Sequence, residues 1–121
     1  MSKTYKNVIA FVWVKNMDRA KAFYTKTLGM NIVLESDGWV EMAVPGTGNA
    51  YLALNQWKED KQIPTNEFVT LGVEKLDDFH SALIADDVHM KGEVVDFPDQ
   101  GMKMFKFMDP DGNVITAASV E

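Results

Sequence analysis

The chain has 121 residues, 46% hydrophobic and 25% charged, the profile of one ordinary globular domain with a buried core. It contains no cysteine, which excludes a disulfide framework, a thiol nucleophile and a thiolate metal site. A formal net charge of −6 opposes contact with phosphate backbones, so no nucleic-acid partner is expected; the same charge would draw a cationic small molecule to the surface, or simply keep the chain in solution.

Met1 to Lys6 leads straight into a strand pattern, without an apolar signal core or a membrane span, so a cytoplasmic location and no membrane partner are expected. Val8 to Val14 reads as a strand apolar on both faces, with Ile9, Phe11 and Trp13 on one side and Val8, Ala10, Val12 and Val14 on the other; such a strand is expected between two layers. Asn16 is a candidate N-cap with Asp18 in the first helical turn. Met17, Ala20, Phe23-Tyr24 and Thr27-Leu28 then recur at helical spacing, and Gly29 closes the helix. Strands follow at Asn31 to Glu35, Trp39 to Val44 and Ala50 to Gln56, separated by a turn at Ser36-Asp37-Gly38 and a loop at Pro45 to Asn49. The charged Lys58-Glu59-Asp60-Lys61 and the helix breaker Pro64 mark residues 57–66 as a linker.

The pattern then begins again. Phe68 to Val73 is a predicted strand, Leu76 to Ile84 an amphipathic helix with Leu76, Phe79 and Leu83 on one face, and Glu93 to Phe97 another strand. Met102 to Met108 and Val114 to Ala118 form a hairpin around Asp109-Pro110-Asp111-Gly112-Asn113, where proline presets one turn position and glycine supplies positive φ. Val14-x-x-Met17-Asp18 matches Val73-x-x-Leu76-Asp77, each at a strand-to-helix junction. The organisation is therefore two βαβββ modules in one α+β domain over 1–121: module one at about 6–56, the linker at 57–66, and module two at about 67–121. The expected form is a curved mixed sheet around a cleft, with helices on the convex face.

Val14 to Met30, taken with the Asp109 hairpin, resembles the two signatures of the vicinal oxygen chelate superfamily, the glyoxalase, bleomycin-resistance and extradiol-dioxygenase group. The resemblance spans nearly the whole chain. Enzymes of that group usually hold a divalent metal through a His or Gln in the first strand and a Glu in the last strand of each module. Carried over by offset, those positions are Ile9, Ala53, Phe68 and Thr116, three hydrocarbons and a hydroxyl. A slip of one residue brings in Glu67 and no other ligand. His80, on the second predicted helix, and His89, in the connection after it, belong to no cleft strand. No metal and no other cofactor are expected.

Alternation assigns the residues that share a face with those positions. They are Ile9, Phe11 and Trp13; Tyr51, Ala53 and Asn55; Phe68, Thr70 and Gly72; and Val114, Thr116 and Ala118. In the seventh strand, Phe105 and Phe107 pack toward the helices, which leaves Met102, Met104, Lys106 and Met108 on the cleft side. Trp39 and Trp57 stand at the rim. Glu41 has three open readings: a buried acid, a counter-ion for a cationic ligand, or an exposed sheet-edge residue. The candidate binding set is Ile9, Phe11, Trp13, Trp39, Glu41, Tyr51, Ala53, Asn55, Phe68, Thr70, Met102, Met104, Met108 and Thr116, with no catalytic residue.

An aromatic, methionine-rich surface suits a flat or amphipathic organic ligand, although the same residues could instead fill the cleft or a subunit interface. The function expected is metal-free binding of such a ligand, a cationic antibiotic being one possibility, by a homodimer of the kind common in the group. The alternatives are a lyase or dioxygenase with relocated metal ligands, and a sensory or protein-interaction module.

Overall fold

The computed structural model describes residues 2–120 and divides them into two compact units, one ending at Pro64 and one beginning at Thr65. Each unit is a βαβββ module, as the repeat predicts, and each carries its own four-stranded mixed sheet. Among the described residues no helix is long and apolar enough to cross a membrane.

In the first unit, β1 (Val8–Val14) leads into α1 (Met17–Ala22), followed by β2 (Asn31–Ser36), β3 (Trp39–Ala43) and β4 (Ala50–Gln56). The order across the sheet is β1-β4-β3-β2, with β1 parallel to β4 and the other pairs antiparallel. Asn16 caps α1, its Oδ1 accepting the Arg19 N–H at 3.0 Å. The α-helix is shorter than the apolar spacing predicts. From Phe23 to Thr27 it widens into a π-helical turn, in which the Leu28 N–H donates to the Phe23 carbonyl at 3.1 Å. The Thr25 hydroxyl donates to the Lys21 carbonyl at 2.7 Å, a back-bond that loosens a helix locally. This turn carries Tyr24 into the core, and Gly29, at φ +76°, ends it.

Val12, Val14, Val40, Met42, Leu52 and Leu54 make the buried face of this sheet, with Ala20 and Tyr24 from the helical segment. The expectation that β1 is covered on both faces needs correction: Val8, Ile9 and Phe11 are exposed, Val8 by 74%. Val8 lies on the α1 side at the start of an edge strand, where the short helix packs against β4 instead; Ile9 and Phe11 lie on the opposite face, turned away from α1.

The second unit runs β5 (Val69–Gly72), α2 (Leu76–Ala85), β6 (Val95–Phe97), β7 (Met102–Met108) and β8 (Val114–Val120). The sheet order is β5-β8-β7-β6, again with first and last strands parallel. β5 and β6 are shorter than predicted. Phe68, Glu93 and Val94 stand outside the ladders, and β6 pairs through Val95, Asp96 and Phe97 alone. Phe105 and Phe107 are buried, with the Phe79 ring of α2 at 6.1 and 6.2 Å from theirs, and Leu76 and Leu83 complete that layer.

The turn after β7 is a buried polar knot. Asp109 Oδ1 accepts the backbone N–H groups of Asp111 and Asn113, both at 2.9 Å, and Oδ2 accepts the Asn113 side-chain amide at 2.9 Å. Asn113, fully buried, returns its own Oδ1 to the Asn66 N–H at 3.1 Å, while the Val114 N–H donates to the Asn66 carbonyl at 2.9 Å. Gly112 takes φ +90°, so the turn requires glycine there. Asn66, the last residue of the 57–66 linker, is thus hydrogen-bonded to the hairpin.

At the surface, Lys91 donates to Glu67 at 2.8 Å, and this hydrogen bond with its charge holds the Glu67 carboxyl below the usual range. The stabilisation it gives is present at neutral pH and fades as acid protonates Glu67. Asn113→Ala should cost about 2–4 kcal/mol, because it removes at once the buried amide donor to Asp109 Oδ2 and the Oδ1 acceptor of the Asn66 N–H. Urea unfolding checks this, with Pro110→Ala at the exposed tip of the same turn expected to cost under about 1 kcal/mol.

Candidate functional site

The strand registers lay out the face of the first sheet turned away from α1. One row reads Ile9, Tyr51, Ala43; the next Phe11, Ala53, Glu41; the last Trp13, Asn55, Trp39. Ala53 lies between Phe11 and Glu41 and is wholly buried. Because only a methyl stands there, the rings of Phe11 and Trp39 reach one another over β4, at 5.9 Å between centroids. Ala53 thus forms floor rather than accessible wall.

Phe11 continues to Trp13, edge to face at 5.5 Å, and Trp13 to Trp57, edge to face at 5.2 Å. The result is a continuous run of rings, Trp39-Phe11-Trp13-Trp57. Phe11 is 41% exposed and the three tryptophans are half-buried, so the run keeps ring surface accessible. At one end the Trp39 Nε1–H donates to Glu41 Oε1 at 3.2 Å. At the other, the Trp57 Nε1–H donates to the Lys61 carbonyl at 3.0 Å, and the Lys61 ammonium lies 6.0 Å from the Trp57 ring.

The linker reading understates Trp57. Its backbone N–H donates to the Val14 carbonyl at 2.8 Å, so the alternation of β4 runs one residue past the strand and places Trp57 beside Trp13. The odd-numbered series 53, 55, 57 was the available signal. Gln56 secures the same corner, its Nε2 donating to the Lys15 carbonyl at 2.6 Å and the Trp57 carbonyl at 3.2 Å.

In the second sheet, Thr70, Thr116 and Lys106 form one row, and Gly72, Ala118, Met104 and Val95 the next. Met102 and Met108 lie on this face at the ends of β7, and Met102, Met104, Lys106 and Met108 are half-buried. Thr116 is buried, and Phe68, just ahead of β5, is 88% exposed. The two units share one register: Phe11, Ala53 and Glu41 correspond to Thr70, Thr116 and Lys106. Ile9 and Phe68 each precede their row by two residues, so the two first-strand positions are equivalent in the two units.

Ile9, Ala53, Phe68 and Thr116 do not fit a divalent cation. Three offer no lone pair, the threonine hydroxyl is a weak donor, and Lys106 beside Thr116 is itself a cation. Among the described residues no three His, Cys, Asp or Glu side chains gather closely enough to hold a metal. His80 sits against the Phe105 ring on the α2 side, at 4.7 Å.

The sequence profile of the Glyoxalase/Bleomycin resistance protein/Dioxygenase superfamily matches residues 7–116. No curated protein sequence matches the chain. Among solved structures, a member of that superfamily from Sphaerobacter thermophilus DSM 20745 superposes with a TM-score of 0.82 at 24% identity, covering 97% of this chain and 98% of that one. TnmS3, an antibiotic binding protein from Streptomyces sp. CB03234, gives 0.80 at 24% identity over 100% and 99%. A glyoxalase/bleomycin resistance protein from the same Streptomyces gives 0.75 at 26% identity over 92% and 97%. With a profile match over nearly its whole length, the chain belongs to the Glyoxalase/Bleomycin resistance protein/Dioxygenase superfamily.

Proposed function

We propose that this protein binds a small amphipathic or aromatic molecule without transforming it and without a metal, using the ring-lined face of the first sheet as its platform. The observation that carries this reading is the run Trp39-Phe11-Trp13-Trp57 on a face whose metal-ligand positions are hydrocarbon. Ring stacking is tolerant of ligand detail and suits a flat organic body. A structural neighbour that is an antibiotic binding protein makes antibiotics a sensible first ligand class, cationic ones foremost given the net charge of −6.

We also propose that the two modules work as one domain and that the functional particle is a homodimer. The exposed apolar side chains of Val8, Ile9 and Phe68 supply surface that association would bury. Light scattering at micromolar concentration should return twice the 13.6 kDa chain mass; a clean monomer would count against the dimer.

Tryptophan fluorescence titrated with metal-free bleomycin tests the binding reading. The expected result is saturable quenching near one ligand per protomer, weakened about fivefold or more in Trp13→Phe, in keeping with the loss of about 1 kcal/mol of stacking. A flat titration removes bleomycin as a ligand and moves the test to a screen of other planar cations. Stoichiometric uptake of Ni²⁺, Zn²⁺ or Fe²⁺ after dialysis would overturn the metal-free assignment.

A further inference from the structure

Glu41 is the one charged side chain that the registers of β1, β3 and β4 put on the aromatic face; its cross-strand neighbour is Ala53 and its next-but-one neighbour Phe11. It is half-buried, and one carboxylate oxygen accepts the Trp39 indole N–H at 3.2 Å. The ion pairs Lys21–Glu35, Lys61–Glu59 and Lys91–Glu67 lie elsewhere, and among the described residues no cationic side chain pairs with Glu41. A carboxylate has room for about four hydrogen bonds, and the indole uses one.

We infer that Glu41 is the specificity-determining group of this site, and that it selects ligands carrying a fixed or protonated nitrogen cation on a planar aromatic body. The inference rests on the binding reading above and deepens it. Covering Glu41 with a neutral ring would strip water from a carboxylate without replacing it, which disfavours neutral ligands. Covering it with an anion would add repulsion. A cation meets the carboxylate and the electron-rich faces of Phe11 and Trp39 together, so both attractions act on the same charge. Trp39 is the positioning residue. Its N–H holds the carboxylate in place beside the rings, and its own ring lies against Phe11.

The test compares two probes of nearly equal shape, N-methylacridinium, a permanent cation, and acridine, its parent, uncharged in mildly alkaline buffer. Calorimetry on the whole protein should show the cation binding about tenfold tighter. Glu41→Gln, which keeps the shape and an acceptor, should bring the two affinities together, weakening the cation while acridine, no longer desolvating a carboxylate, binds as well or better. Trp39→Phe, which keeps a ring but removes the N–H, should lower the cation's affinity more than acridine's and so reduce the cation-to-neutral ratio, by a smaller factor than Glu41→Gln; loss of stacking alone would lower both affinities equally and leave the ratio unmoved. Added salt should erode the preference in the unaltered protein, a readout that needs no variant. Equal affinity for both probes, or a ratio unmoved in Glu41→Gln, overturns the role of Glu41 and leaves the aromatic platform standing. Failure of both probes to bind overturns the platform as well.

Discussion

Each module closes when its last strand returns beside its first and runs parallel to it. A parallel neighbour cannot be reached through a tight turn, so the chain must travel through a helical segment and two further strands before coming back. That requirement produces the βαβββ order twice over. It also decides which side chains meet, because side chains alternate along a strand and a slip of one residue would exchange the two faces of the sheet. With Phe11 opposite Ala53, the valines of β1 and the leucines of β4 point to the helical segment and the rings point away from it. With Thr70 opposite Thr116, the second module makes the same division, and the phenylalanines of β7 join its core.

The two modules lock this return by different chemistry. The first uses backbone and a glutamine: the Trp57 N–H reaches the Val14 carbonyl, and the Gln56 side chain reaches the carbonyl of Lys15. The second uses the buried Asp109-Asn113 knot, through which Asn66, the residue leading into β5, is held to the start of β8. Buried polar groups of this kind are stable only when nearly every partner is present, which makes them strict about register where apolar packing would tolerate a shift. Each lock lies where the first and last strands of its module meet, and the first also fixes Trp57 against Trp13.

What the sequence could reveal follows the range over which each cause acts. Local causes were legible: the cap at Asn16, the positive φ at Gly29 and Gly112, the period-two faces of the strands, and the inward turn of Phe105 and Phe107. The π-helical turn at Phe23–Thr27 was not, since a threonine back-bond is available to many helices that stay regular. The exposure of Val8, Ile9 and Phe11 was not legible either. A strand apolar on both sides looks the same whether or not its surroundings cover it, and the limited reach of α1 is a fact of packing. The hydrogen bonds of Trp57 and Asn66 were not legible for one reason: charge and proline between them mark a loop, and a loop's sequence does not show that each end is bonded to a neighbouring strand.

The same register underlies the proposed discrimination by charge. At corresponding places the modules carry Glu41 and Lys106, each opposite a small or hydroxyl residue of the last strand. In a metalloenzyme of this superfamily the last-strand position would supply a ligand and the bound ion would set the electrostatics of the face. Here the last-strand residues are Ala53 and Thr116, and the charge next to each in register is the neighbouring strand's own, Glu41 or Lys106. On the first face that charge is negative, held by an indole N–H and surrounded by rings, an arrangement in which a neutral guest loses by desolvating Glu41 and a cationic one gains. On the proposed reading, hydrocarbon at the metal-ligand positions of the first face leaves a surface where a single carboxylate sets the sign of what can be held.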